Sequence, residues 1–214
     1  MTQTIMIGAL ALASASSALA QSQNVDWARA ERGEPSGLKA EIELAGGRVG
    51  GTPTMETTEG PDGEPTTAIR FPDTESWIEI PARFFLRWQL AGEIKIETPP
   101  FDETQGPIYG MVKEGYPKLA VVSPRFSPTE SFEIWCGETE LASARELADA
   151  VGWDRWEKIS LIGEKDEWRA TIGDWQGRGS IADRDRTRWD EGVKDYIRIG
   201  GFRGWALIPQ FAQY

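Results

Sequence analysis

The 214-residue chain contains no histidine. That absence excludes Ser-His-Asp and Cys-His catalysis, imidazole proton transfer at neutral pH and every His-ligated zinc, copper or iron site. A single cysteine, Cys136, rules out an intrachain disulfide, and its apolar setting Phe132-Glu133-Ile134-Trp135-Cys136 marks it as a small core hydrophobe. Beyond the first twenty residues there is no long apolar run, so no membrane span is expected. Positive charge is in deficit, with 23 Lys+Arg against 34 Asp+Glu and a net charge of -11. Such a field repels phosphate backbones, which removes nucleic acid from the expected partners.

The stretch from Ile5 to Ala20 is apolar, short and rich in Ala and Ser, and it ends Ala18-Leu19-Ala20 before polar Gln21-Ser22-Gln23. These features predict a secretory signal cut after Ala20, although Met1 to Thr4 carries no Lys or Arg. Residues 21–214 then form one exported domain, periplasmic or extracellular. No repeat, low-complexity tract or Ser/Gly/Pro-rich linker divides it.

Period-2 alternation dominates the mature chain. Leu38 to Leu44, Ala68 to Phe71, Trp77 to Ile80 and Glu93 to Glu97 each place apolar residues on one face, as half-buried strands do. Further strands are predicted at Leu119 to Ser123, Ser131 to Cys136, Trp156 to Ile162, Trp168 to Ile172, Tyr196 to Ile199 and Trp205 to Phe211. Clusters such as Ala45-Gly46-Gly47 and Gly60-Pro61-Asp62-Gly63 supply the turns. Helical spacing occurs at Glu140 to Val151, where Leu141, Ala144, Leu147, Ala148 and Val151 share a face between a Thr139 cap and a Gly152 stop. The expectation is an all-β, antiparallel two-sheet sandwich with one short helix.

The order of several motifs carries a resemblance. Gly46-Gly47-Arg48-Val49-Gly50-Gly51 leads to Ala68-Ile69-Arg70-Phe71 and then Trp77-Ile78-Glu79-Ile80-Pro81. Later come Trp153-Asp154-Arg155-Trp156-Glu157-Lys158-Ile159-Ser160-Leu161 and the closing Tyr196-Ile197-Arg198-Ile199-Gly200-Gly201-Phe202-Arg203-Gly204-Trp205. Together they resemble laminin-G-like jelly rolls of the concanavalin A-like lectin/glucanase superfamily. The resemblance implies two curved antiparallel sheets with ligands on the concave face or the loop rim, and a glycan or polysaccharide as partner. It leaves calcium open as a ligand. The acidic run Asp183 to Glu191 interleaves arginines and lacks the EF-hand glycine, which argues against calcium there. Where family hairpins turn on Asp-Gly, this chain has Gly173-Asp174-Trp175-Gln176-Gly177-Arg178-Gly179, expected as a longer aromatic loop.

Two sets of candidate residues follow. Glu93-Ile94-Lys95-Ile96-Glu97 is similar to the superfamily's catalytic Glu-x-Asp-x-Glu strand, with Lys95 in place of the Asp. At a rise of roughly 3.3 Å per residue the outer two Cα atoms lie about 13 Å apart, and retaining hydrolysis needs their carboxyls to lean toward each other. A lysine between them lowers both carboxyl pKa values, contrary to what an acid/base requires. A solvated strand face is the plain alternative. Glu133, Glu138 and Glu140 form a second carboxylate group without that spacing. For a lyase, Tyr109, Tyr116 or Tyr196 with Arg87 or Arg125 would serve, singled out by no spacing.

The other set is a contact surface. From Trp168 to Arg203 eight Lys+Arg stand against six Asp+Glu, a local +2 in an otherwise acidic chain. Trp175, Arg178, Arg184, Arg186 and Trp189 are the candidate ligand-binding residues, since aromatic faces beside guanidinium groups suit sugar rings bearing carboxylate or sulfate. The alternative is a loop of local Asp-Arg pairs with Trp168 and Trp175 in the core. The preferred function is thus a non-catalytic carbohydrate-binding or adhesion module. A polysaccharide hydrolase or lyase and a cell-envelope assembly protein stand as alternatives.

Overall fold

Alternating apolar side chains need a facing layer, and two antiparallel sheets supply it. The computed structural model describes residues 25–32, 37–82, 87–98, 106–113, 116–123, 132–143, 145–147, 152–164, 166–181 and 195–213. The signal-like leader and the predicted cleavage point lie outside them. One sheet has seven strands, ordered β1 (Arg48–Gly50), β4 (Trp77–Ala82), β13 (Asp195–Gly200), β6 (Gly106–Lys113), β7 (Tyr116–Ser123), β8 (Glu133–Cys136) and β9 (Thr139–Ala142). The other runs β12 (Trp175–Ser180), β11 (Glu167–Ile172), β10 (Trp156–Glu164), β5 (Arg87–Thr98), β14 (Arg203–Ala206), β3 (Pro65–Phe71) and β2 (Thr54–Glu59). Its eighth strand, β15 (Gln210–Gln213), pairs with the first half of β5. The fold is an antiparallel jelly-roll-like β-sandwich.

The core lies between the sheets. Leu90, Ile94 and Ile96 of β5 join Ile159 and Leu161 of β10, together with Ile78, Ile80, Ile197 and Ile199 of the seven-stranded sheet. Burial at roughly 25 cal/mol per Å² of apolar surface makes this layer the main stabilising term. Phe71 and Phe202 meet in a tilted pair with centroids 5.3 Å apart. Cys136 is buried, as its setting implied.

The expected strand at Leu38 to Leu44 is instead helix α2 (Gly37–Leu44), which packs with α1 (Trp27–Glu31) beside β1. The same residues that alternate also place Leu38 and Ile42 four apart, and both are buried. Lys39, Ala40, Glu41 and Glu43 are strong helix formers, and Lys39 pairs with Glu43 at 3.8 Å. The helix ends in a Schellman motif: Gly46, at φ +83°, donates to Glu43 O (2.9 Å) and Gly47 to Ile42 O (2.8 Å).

The expected helix from Glu140 also fails at its start. Thr139–Ala142 is β9, a hairpin partner of β8 across Gly137, whose φ of +61° makes the turn. Leu147 is buried as predicted, while Ala144, Ala148 and Val151 lie outside the described residues. Neither of the two helices among the described residues is the predicted one.

Candidate functional site

Two central strands of the seven-stranded sheet break the in/out alternation. Glu79 on β4 and Tyr196 on β13 point away from the core, opposite Ile78, Ile80, Ile197 and Ile199, yet each is at most 3% exposed. Val112 and Ala120, on the same outer face, are also buried. A charged residue so placed demands partners, because an isolated buried carboxylate is prohibitively costly.

Register supplies them. One row across the outer face reads Arg48, Glu79, Arg198, Gly110, Ala120, Trp135, Glu140, each residue directly opposite the next. Arg198 donates from Nη1 to Glu79 Oε1 (2.9 Å) and from Nε to Pro107 O (3.0 Å), with its guanidinium 4.3 Å from the Trp77 ring centroid. Burial pulls Arg198 below the ordinary guanidinium value, and Glu79 opposes that shift. Arg48 approaches the other Glu79 oxygen at 3.7 Å, lies 4.6 Å from the Tyr196 centroid and donates to the Tyr196 hydroxyl at 3.3 Å. One carboxylate thus fixes two cations, each stacked on an aromatic ring. Arg198 keeps 17% of its side chain exposed and Arg48 51%, so Glu79 positions donors that reach the surface.

Past Arg198 the row loses its side chains. Gly110 has φ +146°, and a Cβ there would come within 2.5 Å of Ala120 Cα, so only glycine allows this approach. Gly110 and Ala120 form a low strip between Arg198 and Trp135, which stand three strand spacings or about 14 Å apart. Trp135 is half-buried and donates from Nε1 to Glu133 Oε2 at 2.7 Å. Glu140 is pushed up by its own partial burial and by the nearby charges of Glu133 and Glu146. Guanidinium donors, indole faces and carboxylates therefore border one strip. At the end of the same sheet Lys118 and Asp195 form a buried pair at 2.8 Å, with burial raising Asp195.

The sequence candidates fall elsewhere. Glu93 and Glu97 share the outer face of β5 in the eight-stranded sheet, with Lys95 between them as expected. Lys95 pairs with neither: Glu97 takes a two-pronged bond from Arg70 (2.6 and 2.9 Å) and a third from Arg203 (2.9 Å). The Arg70 bond, opposed by partial burial and aided by Arg203, holds the Glu97 carboxyl below the usual range. Glu97 stays ionised at neutral pH and cannot hold an acid's proton. Its stabilisation is fully present above pH 4.5, the ordinary value, and fades as pH falls through the lowered native value. Glu97→Gln is expected to lose about 1 to 2 kcal/mol at pH 7, the deficit shrinking below pH 4.5, in urea titrations of both proteins across pH. A deficit independent of pH would remove the ion pair as its cause.

The segment expected as a loop at Gly173 to Gly179 is a tight turn followed by β12, whose alternation separates two of the candidates. Trp175 faces inward and packs on the core, and Arg178 stands on the outer side across from Arg169. The predicted Arg184, Arg186 and Trp189 lie outside the described residues, as does Arg125. Tyr109 is fully buried, which drives its hydroxyl far above the phenol's ordinary value and removes it as a proton donor or acceptor. Arg87 pairs with Glu164 at 3.6 Å on the other sheet. Among the described residues no cluster of metal-ligating side chains occurs, and no helix is long and apolar enough to cross a membrane.

The architecture is shared with other β-sandwich domains. Domain 4 of AbnA, a GH43 extracellular arabinanase from Geobacillus stearothermophilus solved in complex with arabinotriose, aligns at TM-score 0.54 and 12% identity over 78% of this chain and 82% of that one. The alginate lyase vAL-1 from Chlorella virus aligns at TM-score 0.52 and 10% identity over 82% and 97%. At these identities the likeness is one of fold. No protein-family model and no curated protein matches the sequence.

Proposed function

We propose that the protein is an exported, non-catalytic carbohydrate-binding module of concanavalin A-like fold, and that its ligand lies along the strip of Gly110 and Ala120. The observation that carries this reading is the Glu79 carboxylate holding Arg48 and Arg198 beside Tyr196 and Trp77 on an outer sheet face. A buried ion pair is a poor source of stability compared with apolar packing, so its presence on this face favours a role in recognition. Oriented guanidinium groups donate to sugar oxygens, and indole faces take the apolar side of a ring. The likeness to a domain solved with arabinotriose supports the ligand class. Arg184, Arg186 and Trp189, in the segment between β12 and β13, are proposed as additional contacts.

Affinity electrophoresis in native gels cast with arabinan, alginate, β-glucan or polygalacturonate tests this reading. At least one polymer should retard the mature chain, and Arg198→Ala and Trp135→Ala should each weaken that retention about tenfold, the loss of one good contact. Unaltered migration in every gel, or retention of both variants equal to that of the parent, would defeat it.

A second reading rests on the Arg48 contact with the Tyr196 hydroxyl. A polysaccharide lyase needs a proton-transferring tyrosine beside a cation that neutralises a uronate, and this face has both. Product absorbing near the ultraviolet of an unsaturated uronate, abolished by Tyr196→Phe, would establish it; none from alginate or polygalacturonate leaves the binding module.

A further inference from the structure

The opposite face of the sandwich carries a separate arrangement. Lys95 on β5 is directly across from Trp156 on β10 on one side and from Trp205 on β14 on the other, and Trp205 is in turn across from Arg70 on β3. The two tryptophans stand two strand spacings, about 9 to 10 Å, apart at Cα with an ammonium between them. Both are half-buried, so each indole keeps surface toward solvent.

Each indole is held. The Arg70 guanidinium lies 4.7 Å from the Trp205 centroid and is itself locked by two bonds to Glu97. The Trp156 Nε1 donates to Glu59 O at 2.8 Å, tying it to the end of β2. Rigid aromatic anchors lose little entropy when a ligand covers them. Lys95, by contrast, has no hydrogen bond or ion pair with any described residue. Of the two carboxylates that share its strand face, Glu97 is taken by Arg70 and Arg203, while Glu93 stands across from Lys158.

We propose that Trp156, Lys95 and Trp205 form a second carbohydrate-contact surface, on the outer face of the eight-stranded sheet, for a polymer of uronic acid residues. The indoles stack on successive rings, and the Lys95 ammonium, paired with neither Glu93 nor Glu97, supplies the counter-charge to a ring carboxylate. Charge complementarity selects a uronate over a neutral glycan, since a neutral ring leaves the ammonium as it is. Together with the first face, the module would hold two chains on opposite sides.

The test is affinity electrophoresis in polygalacturonate and in the same polymer fully methyl-esterified, at about 20 mM salt where exposed charges are weakly screened. It is run in an Arg198→Ala background, so that failure of the first face cannot be mistaken for failure of this one. The acid form should retard the protein and the ester should not. Lys95→Gln should weaken retention about tenfold, the loss of one charge-assisted hydrogen bond. Trp156→Ala should do the same, with its thermal midpoint recorded to confirm folding. Equal retention by acid and ester, unchanged retention in Lys95→Gln, or no retention of the Arg198→Ala protein would each overturn the proposal.

Discussion

Glu79→Ala is expected to cost about 3 to 5 kcal/mol of folding stability and to abolish ligand binding at the seven-stranded sheet. The stability loss follows from what is left behind. Arg198 keeps its bond to Pro107 O and its stack on Trp77, yet with only 17% of its side chain exposed its contact with solvent is too small to replace the carboxylate. Arg48, half-exposed, rehydrates and contributes little to the loss. For a domain of this size the change corresponds to a fall in Tm of roughly 10 °C. Restoring stability without charge separates the two effects. Glu79→Leu combined with Arg198→Met replaces the pair by apolar side chains of similar reach and should recover most of the lost stability, as such replacements do elsewhere. It should recover none of the binding. Urea denaturation and affinity electrophoresis of the three proteins decide the matter. A single variant within about 1 kcal/mol of the parent would mean that Arg198 is hydrated and the array open.

The stretches that form β3, β4, β5, β10, β11 and β13 were legible because their alternation is strong and their turns are rich in Gly, Pro and Asp. Leu38 to Leu44 was not, since seven residues cannot distinguish a period of 2 from an i, i+4 pair; helix propensity and the two following glycines decide it. The Gly-rich segment after Trp175 departs from the expected loop for a different reason. Its glycines belong to an edge strand, where a Cβ on Gly177 or Gly179 would strike the rings of Trp175 and Trp168. Small residues there make room for indoles; they do not loosen the chain.

The site itself was the least legible part. Glu79 in Trp77-Ile78-Glu79-Ile80 and Arg198 in Tyr196-Ile197-Arg198-Ile199 each read alone as the solvated residue of a half-buried strand. Only register puts them opposite one another. The available signal was their matching frames, aromatic-apolar-charge-apolar with opposite charges at the same position, which is what pairing central strands would show. The charge balance from Trp168 to Arg203 includes Arg198 but carries no sign that it stands on a sheet face. In the Glu93 to Glu97 strand, local spacing points to Lys95 as the cation that neutralises both carboxylates. Arg70, 27 residues upstream, does so at Glu97 instead, and no local spacing could have announced that.

Gly204→Ala is the other substitution with a large expected effect. Gly204 sits in the middle of the eight-stranded sheet, in the short strand that joins β3 to β5, at a break in register beside Arg203. Its φ is +155°, and a Cβ there would lie 2.0 Å from Lys95 O and 3.0 Å from Ile96 Cα. Both obstacles are backbone, so no rotamer change relieves them and β14 must move off β5. Overpacking of about 1 to 3 kcal/mol adds to backbone strain of about 1 to 2 kcal/mol, for a total near 4. Gly63→Ala is the matched control: φ is +83° and nothing lies within 4 Å, so strain acts alone and the cost should stay near 1 kcal/mol. Because Trp205 follows Gly204 and faces Lys95, any displacement of β14 also shifts one indole of the second face. In the Arg198→Ala background, Gly204→Ala should therefore lose polygalacturonate retention even at temperatures where it remains folded, whereas Gly63→Ala keeps it. Equal denaturation midpoints for the two variants would show that the close approach of Gly204 to β5 does not exist.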